Sequence, residues 1–324
     1  MVRYHVASLV AVLLALGAGV LLGAGTLDGE SSSLETRTQD AGVRALRAEV
    51  SDLERRVAVG DDFAEDVRGM LTAERLDGTT AVVLALPGVD GAAVDAGVRA
   101  LRSAGATVSG TVRLTDTYTD PEKARMPLED LVLRLVPPGV EFPDGASAIE
   151  RVGTVVARAT VTRDSEETSS VDQPSAEVLA GLEAIGALDV TGEAGRRAEV
   201  AVVLAPPASA DRGSAEDAAG RQEAVLGLVA ALDAGSSGTV VTGPPSSASA
   251  GGVLAQLRRG GGDRRTAGAS TVDLAGSTLG RIGLVLAVAE QQRGGSGHYG
   301  AGQGSQGVVP DVPAASTPGP TPTG

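Results

Sequence analysis

Thr80-Ala81-Val82-Val83-Leu84-Ala85-Leu86 is an unbroken apolar run, closed by the turn signal Pro87-Gly88. It is short and rich in branched residues, so it reads as a strand buried on both faces, the kind found in parallel sheets. Asp90 is placed to cap a following helix, with Val94, Val98 and Leu101 on one face and Gly105 just past its end. A second strand at 106–114 completes a β-α-β unit.

Farther along, Ala201-Val202-Val203-Leu204-Ala205-Pro206-Pro207 nearly repeats residues 81–87, then a helix over about 214–233 leads to a strand at 238–242. The echo has two readings: an internal duplication, or independent Ala/Val runs in a chain rich in both. Between the two units, 128–136, 146–162 and 175–185 read as helices, and 163–174 as a polar, mobile loop. A strand at 270–272 and a helix at 277–292 follow. The fold class is therefore α/β: a Rossmann-like parallel-sheet domain over 78–292 with helices on both faces. From 293 to 324 the chain is mostly Gly, Ser, Pro and Thr, which predicts a disordered tail.

Upstream, Val43, Leu46, Val50, Leu53, Val57, Gly60, Ala64, Val67 and Leu71 alternate in steps of three and four. This is a heptad seam, and 31–77 reads as a coiled-coil stalk. Beta-branched residues at the a positions with Leu at d favour two parallel strands, hence a homodimer. Arg56 and Asp61 would pair across the strands, whereas Glu49 and Glu54 would repel. The competing reading is one amphipathic helix folded back on the globular domain. Residues 6–27 are uncharged and apolar over about 22 positions, enough to cross a bilayer as one helix. Arg3 precedes the run while Asp28 and Glu30 follow it, so the N-terminus is expected in the cytoplasm and the bulk of the chain outside the membrane. A cleaved signal peptide is the rival reading of residues 1–30. Ala11, Ala15, Gly19 and Gly23 recur every four residues and suit helix packing in the membrane, although small residues abound throughout this chain.

A net charge of −14 and an aromatic content of 2% argue against nucleic acid as a partner. The absence of cysteine removes disulfides and thiolate chemistry. The turn after the first strand has neither the G-x-G-x-x-G spacing nor a Lys, so no nucleotide is expected. The two histidines are His5, beside the apolar run, and His298, in the Gly-rich end, so an acid–base triad has no histidine within 78–292 and no enzyme is expected. His298 is the one candidate metal ligand.

At both ends the sequence resembles the actinobacterial MctB family of copper transport outer membrane proteins. The resemblance is carried by Arg3-Tyr4-His5, Ser8-Leu9, residues 11–16 and 19–23, then by Ser270-Thr271-Val272-Asp273, Gly280-Arg281-Ile282, Val285-Leu286-Ala287, Gly294-Gly295 and Gly297-His298-Tyr299-Gly300-Ala301-Gly302. It implies copper as cargo and a role in copper efflux or tolerance in the cell envelope. A SteB-like branch of the family implies instead a cell-division scaffold that pairs with a second membrane or cell-wall protein.

Overall fold

The computed structural model describes residues 31–119, 134, 136–137, 140–208, 215–259 and 268–311, with backbone alone for 31–43 and 215–216. The expected membrane helix at 6–27, with Ala11, Ala15, Gly19 and Gly23, lies outside the described residues, as does nearly all of the expected helix at 128–136. Among the described residues no helix is long and apolar enough to cross a membrane. The chain divides into two units, Met1–Asp62 and Phe63–Gly324.

The first unit contains most of helix α1 (Ser31–Thr72). Its seam residues Leu46, Val50, Leu53 and Val57 are 62%, 52%, 53% and 71% exposed. Arg56 bonds Asp52 on its own helix at 2.8 Å, an i,i+4 pair.

The second unit begins with the end of α1 and corrects the lower half of the seam. Ala64 is buried with Ile282 and Leu286, and Leu71 and Val309 pack against this cluster. Val67 is half-buried. Thr278 and Arg281 bond Glu65 at 3.3 and 3.1 Å. The seam is therefore not one continuous free stripe from Val43 to Leu71, because an apolar helix downstream supplies the nearer partner for Ala64.

Then follow β1 (Thr80–Ala85), α2 (Gly91–Ser103), β2 (Thr107–Leu114), α3 (Asp116–Thr119), α4 (Ala148–Thr160), α5 (Gln173–Ala184), β3 (Leu188–Gly192), β4 (Val200–Leu204), α6 (Ala215–Gly235), β5 (Gly238–Thr242), α7 (Val253–Arg259), β6 (Ser270–Val272), α8 (Thr278–Gln291) and β7 (His298–Tyr299). The sheet runs β3-β2-β1-β4-β5-β6-β7, parallel except where β3 meets β2. The echoing runs are neighbours at its centre, Val83 opposite Val202 and Leu84 opposite Val203. β4 and β5 are buried along their whole length, which is why they read as continuous apolar runs. Helices pack in two groups, α2 with α8 and α4 with α5 and α6.

The local signals are physical. Asp90 accepts the Ala92 N–H at 3.0 Å, as a cap should. α4 starts two residues later than the periodicity predicts, because Ser147 and Glu150 form a reciprocal capping box. Residues 163–174 are not simply a loop: Ser165–Thr168 is a turn of 3₁₀ helix, Gln173 and Pro174 open α5, and Glu167 accepts from Thr162 at 2.6 Å. The antiparallel edge strand β3 is an element the periodicity missed; its Val190 N–H is satisfied by the Glu183 carboxylate at 3.2 Å.

The expected tail beginning at 293 is corrected too. His298 and Tyr299 form the seventh strand beside Thr271 and Val272, and Gly300 donates its N–H to Gly307 at 2.8 Å. Residues 312–324 lie outside the described residues.

Candidate functional site

β1 and β4 lie side by side and parallel, but the chain leaves β1 toward β2 and leaves β4 toward β5. Such a switch point opens a crevice beyond the carboxyl ends of the strands, the usual ligand position in open α/β sheets. Here the crevice measures about 490 Å³. Leu86 and Pro87 line it after β1, Pro206 and Pro207 after β4, Asp116 and Thr119 from α3, Arg221 and Gln222 from α6, and Gln256 from α7. Its floor is tied by Leu86 N–H to Leu204 O at 3.0 Å and Ala205 N–H to Thr242 O at 2.7 Å.

Proline follows three of the central strands, at Pro87, at Pro206-Pro207 and at Pro244-Pro245. A proline has no N–H, so these positions cannot contribute to a cradle of backbone donors for phosphate. At the first helix start Asp90 already occupies the N-terminus. The crevice thus offers apolar proline walls with one acid, Asp116, one guanidinium, Arg221, and a few amides and hydroxyls, and one of those amides, on Gln256, is turned back to Gly251 O at 3.1 Å.

The second constellation joins the segments that carry the family resemblance at the C-terminal end. Asp273, just after β6, and Arg258, at the end of α7, form an ion pair at 2.7 Å with side chains 0% and 2% exposed. Arg258 further donates to Thr271 Oγ1 at 2.9 Å, Tyr299 O at 2.8 Å and Gln303 O at 3.2 Å. Asp273 accepts the N–H groups of Ala301 and Gly302 at 2.8 and 2.9 Å. Every guanidinium nitrogen and both carboxylate oxygens therefore have a hydrogen-bond partner, the condition under which such a pair persists in an interior. Gly300 has φ 127° and its missing Cβ would collide with the Asp273 carboxylate, so this turn requires glycine. The segment from Gly297 to Gly302 is a latch closed over a buried carboxylate.

His298 sits in that latch. Its N–H donates to Gln306 Oε1 at 2.9 Å, and its Nδ1 lies 3.1 Å from Thr271 Oγ1. Burial lowers the imidazole pKa, and the Arg258 guanidinium lowers it further. Tyr299 Oη bonds both oxygens of Glu290 at 2.8 and 2.6 Å. Among the described residues no three His, Cys, Asp or Glu side chains group to hold a metal ion. Monovalent copper favours thiolate, thioether and imidazole donors. His298 offers one imidazole beside a guanidinium, and Met70, a described thioether, is 78% exposed on α1. These residues do not compose a soft-donor site. Sequence reasoning singled out His298 but missed Arg258 and Asp273; the signal was an acid directly after a buried strand and an Arg ending a short helix.

The family model described as copper transport outer membrane protein, MctB, matches residues 1–310. The chain belongs to the MctB family. A relative from Mycobacterium tuberculosis named copper transporter MctB is 27% identical over 315 residues, covering 95% of this chain and 98% of the relative. One of the same name from Mycobacterium leprae is 29% identical over 327 aligned positions, with the same two coverages. The MctB match spans the sheet, the crevice and the latch.

Proposed function

We propose that this MctB-family chain is a non-enzymatic, membrane-anchored envelope protein in copper transport and homeostasis, working as a parallel dimer. The copper role is supported by the names of its relatives. The dimer is supported by one observation above the others, the exposed stripe Leu46, Val50, Leu53 and Val57 on α1. Large apolar residues in a repeating row on a helix face are poorly tolerated in water, and a second copy supplies the matching row. Val43, two helical turns before Val50, extends the a position that Val50 and Val57 occupy. His298 is kept as a single candidate copper contact, to be tested by its substitution.

The same stripe favours a second reading, a scaffold that pairs with another membrane or cell-wall protein during division. Leu46→Asp with Leu53→Asp separates the outcomes. Sedimentation of the full chain should shift from dimer to monomer, and copper sensitivity of a strain carrying the variant should rise to that of a deletion strain. Dimers that survive both substitutions refute the seam; a division defect with unaltered copper content favours the scaffold. Equilibrium Cu(I) binding by the full chain and by His298→Ala tests the direct contact.

A further inference from the structure

A second cavity, about 750 Å³, has no part in the readings above. It lies among α4, α6 and the segments flanking them, and its apolar wall is made by small side chains, Val140, Ala157, Val161, Ala230 and Ala231. Small residues leave the space: where glycine stands instead, at Gly153, the helices approach so closely that a Cβ would come within 3.2 Å of the Leu228 backbone. Three arginines, Arg158, Arg163 and Arg197, line the same cavity.

Their donors are only partly used. Arg163 donates to two neutral acceptors, Ser236 O at 3.0 Å and Asp233 O at 3.3 Å. Arg158 reaches Asp172 at a loose 3.5 Å. Arg197 pairs with Glu167, yet its side chain is 7% exposed and its Nε–H, fully buried, has no acceptor among the described residues. A buried N–H without an acceptor is costly, while the unused N–H donors of Arg158 and Arg163 stay open to an acceptor delivered by a ligand. Three acids also line the cavity. Glu150 is committed to the Ser147 N–H at 2.9 Å, Asp233 has its pKa raised by burial against the lowering effects of the Gly268 N–H and Arg163, and Glu141 is exposed.

We propose that this cavity binds a medium-chain fatty carboxylate, its chain along the alanine and valine wall and its head at the arginines. The volume falls in the ordinary range for small-molecule sites, about 300–1,000 Å³, and the mixture of apolar wall with few polar groups matches their usual lining. A small inorganic anion would leave the apolar wall unfilled, and an uncharged hydrocarbon would bring no acceptor to the unused N–H donors of Arg158 and Arg163.

The test uses the full chain in phosphatidylcholine nanodiscs with a photoreactive dodecanoate, its diazirine on the terminal carbon. Crosslinks should map to peptides within 140–163 and 215–235. Free dodecanoate should compete about tenfold better than its methyl ester, the expected worth of a charge-assisted contact. Arg158→Gln with Arg163→Gln should lower crosslinking similarly while the circular dichroism spectrum is unchanged. Labelling confined to residues 1–30, equal competition by the ester, or undiminished labelling of the well-folded variant would each overturn the proposal. The ester comparison requires no substitution, so a variant that fails to fold does not shield the idea.

Discussion

The centre of the sheet and the latch at its far end are both ordered and both buried, but by different means. β1 and β4 are held by apolar burial: Ala81 through Leu84 and Val200 through Val203 are without exposed surface. The latch from Gly297 to Gly302 buries one large ring, Tyr299, and is held mainly by one ion pair and the backbone donors around it. The first kind of order is tolerant, because each contact is small and many share the load. The second is brittle, because a single carboxylate satisfies a guanidinium and two N–H groups together.

The contrast can be broken most forcefully at Asp273. Asp273→Ala strands Arg258 as an uncompensated buried charge, and should cost about 3–5 kcal/mol in urea unfolding. Limited proteolysis should then cut first between residues 293 and 311. A loss below 1 kcal/mol would mean that the pair adds nothing to the latch.

In the sheet, Leu84→Ala removes a fully buried side chain and should cost about 3 kcal/mol, with residues 293–311 still protected from protease. If that substitution releases the latch as readily as Asp273→Ala, the two regions are one cooperative unit and the comparison fails.

The smallest effect is a pH dependence confined to the latch. His298 has a lowered folded pKa, so the unfolded chain binds more protons as the solution is acidified. Its contribution is fully present above the ordinary histidine value of 6.5 and is lost as pH falls from there toward the folded value. His298→Gln should flatten unfolding free energy between pH 7 and 5.5. The central strands contain no titratable side chain between Ala81 and Leu86 and should show no such slope.

Much of the fold was legible because the sheet's inner strands state their burial twice, in residues 80–86 and 200–207, and because caps such as Asp90 act within a few residues of where they stand. β3 was illegible: Leu188-Asp189-Val190-Thr191-Gly192 is half-exposed and antiparallel, and its apolar/polar alternation contains only two apolar residues, Leu188 and Val190, too short a pattern to mark a strand. The site was legible only in fragments. His298 could be singled out as a rare residue, whereas the crevice needs Pro87 beside Pro206, residues brought together by strand order alone.

The sequence by itself determined the α/β class, the buried strands, the helix caps and the heptad spacing, since each depends on the pattern of side chains along one short segment. Only the tertiary structure decided that Ala64 packs on Ile282 and Leu286, that three arginines share one cavity, and that a Gly-rich end becomes a strand and a latch. Those outcomes join residues tens to hundreds of positions apart, and a buried charge becomes stable only when its partner, its backbone donors and the glycine that admits them arrive together.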